Sequence, residues 1–91
     1  MKGEKGDIMN LEYEVRRYLQ ENDYKPNYLW RAQNYLNGFL LRLPDYNNRM
    51  MQDFQKIMSN YCECGYFKAE QGIADLPNYR LTLKGYNNLI K

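Results

Sequence analysis

After Gly65 the apolar residues of this chain change their period, and that change limits what it can fold into. Upstream, Met50, Phe54, Ile57, Met58 and Tyr61 recur at spacings of three and four. They form one stripe on a helix predicted from Tyr46 to about Glu63. Downstream, Phe67 and Ala69 alternate with Tyr66 and Lys68, the period of a strand. Glu70 to Asn78, which contains Gly72 and Pro77, reads as a turn, and Tyr79-Arg80-Leu81 as the returning strand. Thr82 then caps a last short helix carrying Tyr86, Leu89 and Ile90. The predicted class is α+β, mostly helical.

Two further helices precede the long one. Ile8, Leu11, Val15, Tyr18 and Leu19 mark a helix over about residues 8–21, with Asp7 as its N-cap and Glu12–Arg16 as a favourable i,i+4 pair. The breakers in Asn22-Asp23-Tyr24-Lys25-Pro26-Asn27 end it, and Asn27 is placed to cap the next. The second helix is predicted from Tyr28 to about Arg42. Gly38 inside it costs roughly 1 kcal/mol relative to alanine. The helix either ends there or uses the glycine to admit a neighbour, and the apolar stripe through Leu43 favours continuity. Leu43-Pro44-Asp45 is the break before the third helix. The charged, glycine-rich residues 1–7 read as a flexible leader and not a signal peptide, and residues 8–91 as a single domain.

The run Leu81-Thr82-Leu83-Lys84-Gly85 resembles the LTxKG close of many small winged-helix regulators. With the order of elements before it, about residues 8–90 resemble the winged helix-turn-helix superfamily. The resemblance implies three helices, a two-stranded hairpin wing and a short C-terminal helix. It also implies duplex DNA as partner, a dimer, and a small transcription regulator of phage, plasmid, bacterial or archaeal type. The third helix would enter the major groove, and the wing would touch the backbone through Lys68, Gln71 and Arg80.

Composition narrows the chemistry. The 44% of apolar residues excludes a disordered tail, and no apolar run approaches the roughly 18 residues of a membrane span. There is no histidine, and Ser59 and Thr82 are the sole serine and threonine. No Ser-His or Cys-His pair can be built from one chain. Cys62 and Cys64 fall short of a four-ligand zinc site, and a disulfide across i,i+2 is geometrically awkward. Reduced thiols in a cytoplasmic protein are the expectation. No phosphate loop or metal cluster is present in the sequence, so neither an enzyme nor a cofactor is predicted.

The third helix carries the best candidate site. Outside its apolar stripe stand Asn48, Arg49, Gln52, Gln55, Lys56 and Ser59, with Asp53 and Asn60 at the margins. Arginine reads guanine through two hydrogen bonds, and asparagine or glutamine reads adenine in the same way. The helix follows a turn of about three residues after another helix, as in a helix-turn-helix. The DNA-binding set predicted is therefore Asn48, Arg49, Gln52, Gln55, Lys56, Ser59, Lys68, Gln71 and Arg80.

Charge gives this set only local support. The net charge is +2, but residues 7–22 carry −2 and residues 66–91 carry +2. Glu70 and Asp75 share the hairpin with Lys68 and Arg80 and oppose phosphate. A protein–protein module without DNA binding therefore competes as a reading. So does a single-strand binder, since Tyr24, Tyr28 and Trp30 flank Lys25 and Arg31 and offer stacking faces. Trp30 also reads as a core anchor. The 10 tyrosines and many asparagines have A/T-rich codons, which a low-GC genome explains without any site.

Overall fold

Helices and a small sheet enclose one aromatic core in the computed structural model, which describes residues 3–91, with side chains from Asn10 onward. The elements are α1 (Gly3–Asn22), β1 (Leu29–Trp30), α2 (Ala32–Gly38), a 3-10 turn (Leu40–Arg42), α3 (Asn48–Glu63), β2 (Phe67–Ile73), β3 (Leu76–Leu81) and α4 (Leu83–Gly85). A π-helical turn (Tyr86–Ile90) follows α4. The three strands form an antiparallel sheet in the order β1-β3-β2. The class is α+β, as the sequence predicts.

α3 forms where the periodicity places it because both of its ends are chemically specified. The Asn47 side chain accepts from the Met50 N–H at 3.1 Å, so the helix starts at Asn48, two residues later than expected. At the other end Gly65 takes a left-handed φ of +82°. The Tyr66 N–H reaches Tyr61 O at 2.8 Å, and the Gly65 N–H reaches Cys62 O at 3.0 Å. This is a Schellman cap. The Tyr61 and Tyr66 rings close it at 5.7 Å.

Several local expectations are corrected. The backbone of α1 is helical from Gly3, so residues 3–7 of the expected leader belong to the helix and Asp7 does not start it. Met1 and Lys2 lie outside the described residues. Glu12 accepts from the Tyr61 hydroxyl at 3.0 Å, and Arg16 donates to Asn88 O at 3.3 Å, so these two do not form the expected pair.

Tyr28 to Trp30 are not helical. Asn27, at φ +77°, turns the chain, and Leu29 and Trp30 pair with Arg80 and Tyr79. The sheet therefore has three strands, not two. Asn27 does not cap α2. Instead the Asn78 side chain accepts from the Ala32 N–H at 2.8 Å, across the sheet.

α2 ends at Gly38 and does not continue to Arg42. Phe39 leaves the helical region at φ −128° and ψ −65°, and a 3-10 turn then buries Leu40. A Cβ at Gly38 would meet the Tyr18 hydroxyl at 3.5 Å, an ordinary contact, so close approach is not why glycine stands there. The link from α2 to α3 thus spans residues 39–47 and is not the three-residue turn expected.

The hairpin strands run further than expected, to a turn at Ala74 and Asp75. Most of the segment predicted as loop, 70–78, is therefore strand, with a bulge between Glu70 and Ile73. Pro77 is tolerated in the middle strand because β1 pairs only with Tyr79 and Arg80 and does not reach it.

The core is an aromatic chain. Trp30 is fully buried between Tyr18, stacked at 5.6 Å, and Phe54, edge-on at 5.7 Å. Tyr35, Phe67 and Tyr79 continue it, and Leu11, Val15 and Leu19 of α1 seal it from above.

The C-terminal run explains itself in this frame. The Thr82 hydroxyl accepts from the Gly85 N–H at 3.0 Å and lies 2.6 Å from Gly65 O. It thereby ties the cap of α3 to the start of α4. A Cβ at Gly85 would collide with the Tyr66 carbonyl, so only glycine passes there.

Candidate nucleic-acid interface

With Phe54, Ile57, Met58 and Tyr61 turned into the core, the opposite face of α3 is directed to solvent. Gln52, Gln55, Lys56, Ser59, Asn60 and Glu63 line one open shallow groove along it. Asn48 stands one turn before Gln52 on the same side. Gln55 is half-buried and the other predicted members of this row are exposed. Among the described residues, the side chains of Asn48, Gln52, Gln55, Lys56 and Ser59 have no hydrogen-bond or ion-pair partner.

Some amides elsewhere are consumed internally. The Asn22, Asn47, Asn78 and Asn88 side chains and that of Gln20 all bond backbone groups. The α3 row is a set of donors and acceptors held on a capped, core-braced helix and facing solvent.

The other predicted residues are not gathered with this row. Arg49 lies at its margin, 4.0 Å from the carboxylate of Asp53, which is itself only 5% exposed. Both residues line a second concavity of about 530 Å³ between α1 and the α2–α3 link, together with Glu14, Pro44 and Asp45. Lys68 and Arg80 are register partners on the outer face of the sheet, because their neighbours Phe67 and Leu81 point into the core.

Arg80 is committed within the fold. It donates to both Glu70 carboxylate oxygens, at 2.5 and 3.1 Å, and to Asn27 O at 2.9 Å. That hydrogen-bonded contact holds the Glu70 carboxyl below its usual range and the guanidinium above its own. Gln71 is exposed beside the bulge, and its carbonyl accepts from Asn78 at 3.2 Å.

Sequence patterning did not bring Asn60 and Glu63 into the groove, although both lie on the row at helical spacing. It also cast Glu70 as a repulsive charge. The geometry makes it the cross-strand diagonal partner of Arg80, a relation that only the register reveals.

The aromatic corner is occupied by itself. Trp30 is wholly buried, and Tyr24 and Tyr28 stack face to face at 3.9 Å. Lys25 lies over Tyr86 at 5.5 Å. Burial, with hydrogen bonds to Tyr18 and Tyr28, pushes the Tyr24 hydroxyl well above its ordinary range. Burial likewise raises the Cys62 thiol, which weakens it as a nucleophile. Among the described residues no group of His, Cys, Asp and Glu could hold a metal ion, and no helix is long and apolar enough to cross a membrane. Comparison with known protein families, curated proteins and solved structures finds no match for this chain.

Proposed function

We propose that this chain is a non-catalytic, duplex-DNA-binding protein of winged-helix type. In this reading it is a small transcription regulator of a phage, plasmid, bacterium or archaeon, acting in the cytoplasm. α3 lies in the major groove and presents its solvent row to base edges. The observation that carries the reading is the row itself, Asn48, Gln52, Gln55, Lys56 and Ser59, without internal partners on a helix capped at both ends. A helix of 16 residues is about 24 Å long, and the major groove, about 12 Å wide, admits such a cylinder. The hairpin beside it supplies the wing, with Lys68 as its exposed cation.

A protein–protein module without DNA binding is the second reading, favoured by the neutralisation of Arg80 by Glu70. Titration of a mixed-sequence duplex over a range of salt concentrations separates the two. The DNA reading expects log K to fall linearly with log salt, and Lys56→Ala to reduce the slope by about 1. No affinity at any salt concentration would exclude it.

A further inference from the structure

We infer that α3 selects A·T-rich duplex and discriminates against guanine, an inference that rests on the DNA-binding reading and names its target class. The row offers four amides, Asn48, Gln52, Gln55 and Asn60, with one cation, Lys56, and one hydroxyl, Ser59. Amide side chains pair in two-point fashion with N6 and N7 of adenine, whereas guanine O6 and N7 call for arginine or lysine.

Both arginines near the site already face a carboxylate within the fold. Arg49 lies at the margin of the row, its side chain 57% exposed and its Nε 4.0 Å from the buried Asp53 carboxylate. Arg80 is held by Glu70 and by Asn27 O on the outer face of the sheet, away from the row. Lys56 lines the same groove as Gln52 and Gln55, and in this reading its ammonium is spent on phosphate. Glu63 closes the groove at the C-terminal end of α3. Recognition helices contact base edges through their N-terminal residues, so Glu63 and Asn60 are removed from the bases and Asn48, Gln52 and Gln55 are the amides that read them.

The test is selection from a duplex library with a randomised core, followed by competition between A·T-rich and G·C-rich duplexes of equal length. The expected result is enrichment of A·T pairs and a preference of about tenfold for each contacted pair. The Gln52→Ala/Gln55→Ala double variant, both sites lying outside the core and checked for folding by circular dichroism, should bind the A·T-rich duplex less tightly, down to the level of the G·C-rich one, and so lose the preference. Equal affinity for the two duplexes, or a G·C preference, overturns the inference while leaving DNA binding intact. A·T preference that survives in the double variant also overturns it, since DNA shape and not the amides would then be the source. Failure to bind any duplex overturns the DNA reading beneath it, and this inference with it.

Discussion

Gly85 and Thr82 show how two residues can fix the junction of three elements. The Thr82 hydroxyl and the Gly85 N–H close the first turn of α4 at 3.0 Å, while Gly85 lies against the Tyr66 carbonyl. Gly85→Ala should therefore cost about 3 kcal/mol, by forcing backbone apart in a packed region. That corresponds to a fall in Tm on the order of 10–20 °C for a chain of this size. A thermal melt that is unchanged would contradict the close approach. The glycine was visible in the sequence as part of a recurring run. Its reason was not, because the carbonyl it meets lies 19 residues earlier and only the fold brings them together.

Among the elements, α3 and the hairpin were legible and β1 was not. α3 has sixteen residues, a strong stripe, an Asn cap and a glycine stop, so local chemistry and packing agree. β1 is two residues long and exists because Leu29 and Trp30 find Arg80 and Tyr79 across the sheet. No local propensity announces such a strand. α2 misled for a related reason: its stripe through Leu43 is real, but the chain satisfies it by breaking at Phe39 and burying Leu40 from a 3-10 turn.

The Glu70–Arg80 pair joins β2 to β3. The Glu70 carboxyl is held low by hydrogen bonds from Arg80, so its folded-state value lies below that of the unfolded chain, about 4.3. Its contribution to stability is present above that value and is lost as pH falls through the folded-state one. Glu70→Gln should flatten the acid limb of the stability profile measured by denaturant melts. The same variant loosens Arg80 and removes a negative charge beside Lys68, so duplex affinity should rise and its salt slope should steepen by about 1. An unaltered slope would indicate that the outer face of the sheet stays clear of DNA.

Across the molecule, side chains that looked functional divide into two groups. Most of the aromatic residues are absorbed: Trp30, Tyr35, Tyr61 and Tyr79 are core, and Tyr24 and Tyr28 cover each other. The polar row of α3 is not absorbed, and neither the modest net charge nor the paired wing removes it. The candidate site was thus legible as a helix face, because helical spacing alone separates its core and solvent sides. Its internal division was partly hidden. Arg49 faces Asp53 four residues on in its own helix, a spacing the sequence does display, whereas the Glu70 that holds Arg80 is placed there by the hairpin register.

In the function proposed here, the solvent row of α3 meets duplex DNA. Amide chemical-shift mapping on the labelled protein during titration with an A·T-rich duplex tests it residue by residue. Shifts concentrated at Asn48, Gln52, Gln55, Lys56 and Ser59, including side-chain amides, are the result predicted. Shifts confined to other faces, or none at saturating duplex, would contradict it.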